Sequence, residues 1–338
     1  MHGKGPQLPS CRAQMFYGQN SRQTEGWSRT LIEVNLQLML SFEADHHSSY
    51  RHLVYPSNMK HMLIKAASAA LILTAVMAAD GPMVPDYEVH LLMNPSAVLG
   101  SDFKLTPTVL STFAMPTTVT KINVQYLDTI TEDFHVNGWS CRIRNVENKS
   151  GFDLTYKWRL PVNNGDINGA LNTAFSDGWN SGQGNYDAQI DWLYSSQTLS
   201  IQRDYSASSQ GYSGTDDPSE KDSRIMLEDN APGMFDDWVS DGWGTDLLKS
   251  AVIYSPVLTK RSTGTWNGLE LDIEVWPIEN SSGTGIEYLV EASFKTDDYD
   301  TASTLRDQLI TLLQNNGWFL AESVSKEDLV MENYHPTS

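Results

Sequence analysis

The chain has 338 residues, with 42 Asp and Glu against 23 Lys and Arg, a formal net charge of −19. Such acidity argues against nucleic acid or an anionic membrane as the main partner, because both call for a cationic surface. The length allows one large domain or two small ones.

Residues 1–61 carry scattered Gln, Ser and His without a sustained period, and read as an extension upstream of the folded protein. From Met62 the chain runs MLIKAASAALILTAVMAADGPM, with a cation at Lys65, an apolar run from Ala66 to Val76, and small residues at Ala78 and Ala79. This is the pattern of a secretory signal peptide at 62–79, too short for a stable bilayer span. It implies a secreted, extracellular protein whose mature part, 80–338, is a single domain without a membrane span. Four of the acids and seven of the bases precede residue 80, which leaves 38 acids against 16 bases and a net charge near −22. Cys141 is then the only cysteine, so no disulfide can form within the chain and folding must rest on a sizeable core. Asn148-Lys149-Ser150 and Asn280-Ser281-Ser282 fit the N-glycosylation pattern, in keeping with secretion.

The first strand is Tyr87–Met93, with Tyr87, Val89, Leu91 and Met93 on one face and Glu88, His90 and Leu92 on the other. Residues 94–116 read as short helical turns and loop. Lys121–Pro161 then reads as three consecutive strands in which cations recur two apart: Arg142 with Arg144, and Lys157 with Arg159. Residues i and i+2 of a strand share a face, so each pair points one way while Cys141, Ile143, Leu154, Tyr156 and Trp158 point the other. Seven of the sixteen bases lie on or beside strands: Arg142, Arg144, Lys157, Arg159, Arg203, Lys260 and Arg261. An acidic protein that gathers its few cations in this way is suited to holding an anion inside.

Residues 162–192, rich in Gly, Asn and Asp, read as loops or short helices. Tyr194–Tyr205 is a strand on which Arg203 shares parity with Leu199 and Ile201, so a bulge is needed to bring it to the basic face. Residues 206–224 read as a mobile polar loop, and 225–248 as a helix. Ala251–Lys260 is a strand broken at Pro256. On Gly268–Trp276, Glu270, Asp272 and Glu274 share a face, and on Glu287–Lys295 so do Glu287, Glu291 and Lys295. Asp300–Asn316 is an amphipathic helix with Leu305, Leu309, Leu312 and Leu313 as its stripe and Gly317 beyond its end. The final stretch ends on a strand or short helix. The whole is mainly β (α+β): a closed antiparallel barrel of about eight strands with flanking helices.

Mixed cations and carboxylates facing one lumen suit a phosphorylated anion with a divalent metal. The same residues could also pair among themselves as salt bridges, or face solvent on the surface of a structural component.

Tyr126-Leu127-Asp128-Thr129, Cys141-Arg142-Ile143-Arg144 and Leu154-Thr155-Tyr156-Lys157 resemble the middle of the CYTH superfamily, the triphosphate tunnel metalloenzymes. Leu271-Asp272 and Tyr288-Leu289-Val290-Glu291 resemble its later strands, and Gly317-Trp318 with Ser325-Lys326 its closing segment. The resemblance extends over residues 87–334. It implies an antiparallel tunnel that binds triphosphate compounds or polyphosphate and uses Mg²⁺ or Mn²⁺. On this resemblance Arg142, Arg144 and Lys157 match phosphate-binding bases, Glu291 matches a metal-binding acid, and Glu88 matches the first residue of an opening Glu-x-Glu-x-Lys signature. The next two signature positions are His90 and Leu92, which removes a carboxylate from a hard-cation site and a lysine from the phosphate contacts.

The candidates for substrate binding are Arg142, Arg144, Lys157, Arg159, Arg203 and Lys260, and those for the metal are Glu88, Asp272, Glu274 and Glu291. Two functions follow. One is a secreted metal-dependent triphosphate or polyphosphate hydrolase. The other is a non-catalytic binding protein or extracellular effector that keeps the tunnel as an anion or small-molecule pocket.

Overall fold

The computed structural model describes residues 80–334. The upstream extension and the signal segment therefore lie outside the described residues. Nine strands are present among the described residues: β1 (Asp86–Met93), β2 (Thr120–Asp128), β3 (Trp139–Val146), β4 (Phe152–Pro161), β5 (Asp187–Trp192), β6 (Gln197–Ala207), β7 (Val252–Trp266), β8 (Leu269–Glu279) and β9 (Ile286–Thr296). They close into a barrel in the order β1-β5-β6-β4-β3-β2-β7-β8-β9. β9 returns antiparallel to β1, and the β1–β5 pair is the one parallel contact in the barrel.

The expected closed barrel is thus present, with mixed pairing and an additional strand. That strand is β5, in a segment expected to be loop or short helix. Its six residues follow a glycine-rich run, yet they alternate, with Ala188 and Ile190 buried and Gln189 and Asp191 turned to the other face. β7 continues through Pro256 where a break was expected. The ladder to β2 shifts register there and Ser255 takes φ 116°, a bulge that spares the proline a missing ladder bond.

The alternation seen in the sequence becomes two environments. The outer faces of β3, β4, β5 and β6 carry Ile143, Leu154, Tyr156, Ile190 and Ile201 into one core, completed by Trp139, Trp179 and Phe235. Helix α1 (Ile167–Ser176) and the helical segment 220–248 cover it. The latter is three pieces and not a single helix: α2 (Glu220–Asp229), then turns at Gly233–Asp236 and Trp243–Leu248, separated by Pro232 and by Gly242 at φ 74°. On the opposite side β1, β8 and β9 present Val89, Leu91, Leu271, Ile273, Val290 and Ala292 to α3 (Tyr299–Asn315), whose Leu309 and Leu313 are buried. Asp298 caps α3 by accepting from the Thr301 amide at 2.8 Å, and Gly317 takes the left-handed conformation just past its end.

A third apolar cluster lies at one mouth of the barrel. Ile122, Val124, Tyr126, Trp276 and Ile278 meet Val330 and Met331 of α4 (Lys326–Asn333). The terminal stretch is therefore a helix docked on the tunnel. The polar loop expected over 206–224 shrinks to residues 208–219 between β6 and α2. It is fastened to the barrel: the side-chain amides of Asn123, Asn145 and Gln125 donate to the carbonyls of Thr215 (3.0 Å), Asp216 (2.6 Å) and Pro218 (3.1 Å).

Gly264 marks a close approach between β7 and the chain at Phe113–Met115, where the Thr265 amide donates to the Phe113 carbonyl at 2.9 Å. A Cβ at Gly264 would overlap that carbonyl oxygen and press on Met115 Cγ. Gly264→Ala is expected to cost about 1–3 kcal/mol through overpacking. Gly184→Ala, which meets nothing within 4 Å, should leave the melting temperature unchanged. Thermal melts of the two variants check this, and equal melting temperatures would contradict the packing described.

Candidate functional site

Strand alternation turns one residue in two of each strand inward, and these side chains enclose a cavity of about 470 Å³. Charge is divided around it by strand order. β3 and β4 supply Arg142, Arg144, Lys157 and Arg159, while β8, β9, β1 and β5 supply Asp272, Glu274, Glu291, Glu88 and Asp191. Between the two walls lie Thr198, Gln202 and one carboxylate, Asp204, of β6, and Val124 and Tyr126 of β2.

On the acidic wall Glu274 and Glu291 are directly opposed across the β8–β9 ladder, and both are nearly inaccessible. Glu274 accepts from Arg261 Nη2 (2.7 Å), Arg261 Nε (2.9 Å) and Trp276 Nε1 (2.9 Å). Lys326 Nζ, from the first turn of α4, donates to both carboxylates at 2.7 Å. Glu291 also meets His90 Nδ1 at 2.9 Å. Burial works against these charges, but the ammonium and guanidinium neighbours prevail: Glu274 is held well below the usual carboxylate range, and Glu291 is lowered to about 2 by Lys326 and His90. Burial likewise opposes a charged His90, yet Glu291 and Glu88 lift it to about 10. His90 is therefore an imidazolium at neutral pH.

His90 Nε2 faces Glu88 Oε2 at 3.7 Å and Asp191 Oδ1 at 3.8 Å. Glu88, His90 and Asp191 have potential ligand atoms within 4.8 Å of one another, so this set could hold a metal ion in exchange for the His90 Nε2 proton. It differs from the set read from the sequence. Glu88 is common to both, but Glu274 and Glu291 are taken up by Lys326, and Asp272 receives Thr263 Oγ1 at 2.5 Å and lies 3.5 Å from Arg261 Nε.

The basic wall is less evenly matched. Lys157 lies 3.4 Å from Asp191, and Arg159 makes a two-pronged pair with Glu327 at 2.6 and 3.0 Å. Arg142 donates to Thr155 Oγ1 at 3.1 Å, which in turn donates to Asp204, and it makes no salt bridge among the described residues. Arg144 has none either, and the Nε atoms of both are buried without a hydrogen-bond partner. Arg142, with burial behind it, pushes Arg144 down to about 10.

Four of the six candidate substrate-binding bases line the cavity and two do not. β6 pairs with β4 without a bulge, placing Gln202 opposite Lys157, so Arg203 stays on the outer face. There it stacks over the rings of Tyr205 (4.7 Å) and Tyr186 (5.5 Å). Lys260 sits opposite Val275 on the outward face of β7, and its neighbour Arg261 turns inward opposite Glu274. Glu270 and Glu287, also expected to point inward, are exposed and do not line the cavity. Sequence reasoning missed Asp191, Lys326 and Glu327. The alternation of β5 would have shown Asp191, but nothing local shows that α4 enters the tunnel mouth.

No family model matches this chain, and no curated protein matches it. Among solved structures it is similar to a candidate adenylyl cyclase from Hippeastrum with a dominant triphosphatase activity, at 14% identity and a TM-score of 0.45, over 73% of this chain and 95% of that one. A candidate adenylate cyclase from Bacillus halodurans shares 10% identity with a TM-score of 0.40, over 75% and 97% of the two chains. Another from Vibrio parahaemolyticus shares 10% identity with a TM-score of 0.36, over 73% and 99%. These likenesses are distant ones of fold.

The site fixes a pH optimum for stability. Glu291 sits below its unfolded value of 4.5, so its contribution is full above that pH and lost as pH falls toward about 2. His90 sits above its unfolded value of 6.5, so its contribution is full below that pH and lost as pH rises toward about 10. The melting temperature should therefore peak between these unfolded values and fall on either side, and His90→Gln should flatten the alkaline limb. An alkaline limb of unchanged slope in that variant would contradict the assignment.

Proposed function

We propose that the tunnel binds a short linear phosphorylated anion, of the triphosphate or polyphosphate class, along the wall formed by Arg142, Arg144, Lys157 and Arg159. The observation that carries this reading is the unmatched pair Arg142 and Arg144. In a chain of net charge −19, two adjacent guanidiniums line a cavity with no carboxylate within 4 Å among the described residues and with their Nε donors unused. Every other lumen cation named above has an acidic partner within 4 Å, Lys295 through Glu88 at 3.1 Å. Paired like charges in a partly desolvated site are unfavourable until an anion joins them. Guanidinium forks match phosphoryl oxygens in geometry as well as charge.

Metal-dependent hydrolysis is the finer reading, and the Glu88, His90 and Asp191 cluster favours it. A divalent ion held there would draw charge from the phosphoryl oxygens of a bound anion. Glu88 and Asp191 would orient that ion, joined by His90 once its Nε2 proton is lost, while Arg142 and Arg144 hold the chain of phosphates against the far wall. A binding protein without turnover is favoured by a different observation: Lys326 already fills the space between Glu274 and Glu291. Action outside the cell is part of the proposal on the sequence pattern of 62–79, and an N-terminus near Asp80 in the mature protein, read by mass spectrometry, supports it.

The test is thermal stabilisation by tripolyphosphate, with phosphate release followed in parallel from tripolyphosphate and ATP with Mg²⁺ or Mn²⁺. Wild type is expected to be stabilised. Arg142→Ala/Arg144→Ala should lose about tenfold to a hundredfold in affinity, the worth of one or two charge-assisted hydrogen bonds. Absence of stabilisation in wild type overturns the proposal. Metal-dependent release that the double variant loses assigns a hydrolase, and stabilisation without release assigns a binding protein.

A further inference from the structure

We infer that Lys326 is a built-in replacement for a cation between Glu274 and Glu291, so that this carboxylate pair holds its lysine and no divalent ion. The inference deepens the anion-tunnel reading, but it is tested without any phosphate.

The geometry supplies every element of the argument. Glu274 and Glu291 are paired across adjacent strands, 4% and 3% exposed, and a bare pair of like charges so placed would strongly destabilise the barrel. Lys326 Nζ stands 2.7 Å from an oxygen of each. It also lies 5.4 Å from the centroid of the Trp276 ring, so its ammonium is bounded by two carboxylates and an aromatic face. The other donors are committed as well: Arg261 and Trp276 on Glu274, and His90 on Glu291. Two carboxylates with Lys326 and Arg261 beside them are already neutral, which leaves no charge for a divalent ion to balance. A hard cation entering here would have to expel an ammonium held by two short charge-assisted bonds.

The position of Lys326 is fixed from behind. Ser325 caps α4 by accepting from the Asp328 amide at 3.0 Å, and Val330 and Met331 are buried against Ile122, Trp276 and Ile278. The next residue, Glu327, pairs with Arg159 on the opposite wall. One helical turn therefore sets a cation against the acidic wall and an anion against the basic wall.

The experiment is Mn²⁺ binding to the full chain, followed by electron paramagnetic resonance and calorimetry, in wild type, Lys326→Met, Lys326→Met/Glu291→Gln and Glu274→Gln. Lys326→Met should gain about one equivalent of Mn²⁺, bound at least about tenfold more tightly than any site in wild type, and the double variant should lose it. A folded Lys326→Met with no gain overturns the inference. So does wild-type Mn²⁺ binding that Glu274→Gln abolishes, because the carboxylates would then serve a metal with Lys326 displaced. Should Lys326→Met fail to fold, the Glu274→Gln comparison decides: uptake unchanged from wild type supports the lysine lock, and uptake lost contradicts it. Failure here leaves tripolyphosphate stabilisation untouched, and failure of that stabilisation leaves the Mn²⁺ result untouched.

Discussion

Two buried carboxylates, Glu274 and Glu291, face each other across the β8–β9 ladder, and the rest of the lumen is arranged around neutralising them. Like charges in that relation are tolerated only with cations at hand. Arg261 comes from the strand next to β8, His90 from the strand next to β9, and Lys326 from outside the sheet altogether. The last of these ties the end of the chain to the barrel. Lys326 shares that task with Glu327, which pairs with Arg159, and with the apolar contacts of α4 on Ile122, Trp276 and Ile278.

The division of charge follows from strand order more than from any local motif. Cations concentrate on β3 and β4, carboxylates on β8, β9, β1 and β5, and closure of the barrel sets these groups across a common cavity. Most of the positive charge is consumed at the seams, by Asp191 on one side and by Glu327 and Glu274 on others. What survives is a short unmatched stretch at Arg142 and Arg144. A cavity that pairs its other named cations with carboxylates and leaves two guanidiniums unmatched among the described residues offers an anion its place there.

Much of this was legible in the sequence because strand alternation is local. The Arg142/Arg144 and Lys157/Arg159 pairs, the acidic face of β8 and the apolar faces behind them needed only a two-residue period, and the closed barrel followed from their number. Arg203 and Lys260 were misplaced for the complementary reason: register depends on neighbours. Arg203 could have faced inward only through a bulge, and none formed, while a bulge did form near Pro256 and left Arg261, not Lys260, on the inner face. Asp191 was hidden in a short strand behind a glycine-rich run. Lys326 and Glu327 were out of reach of sequence reasoning, since their role depends on where a terminal helix docks.

The central claim is that the unmatched guanidiniums select a linear chain of phosphates. Calorimetric affinities for orthophosphate, pyrophosphate and tripolyphosphate, measured at one ionic strength and beside a dicarboxylate such as malonate, test it most directly. Affinity is predicted to rise with each added phosphate and to exceed that for malonate. Equal affinities across the series, or malonate bound as tightly as tripolyphosphate, would contradict it and leave the tunnel with general anion attraction alone.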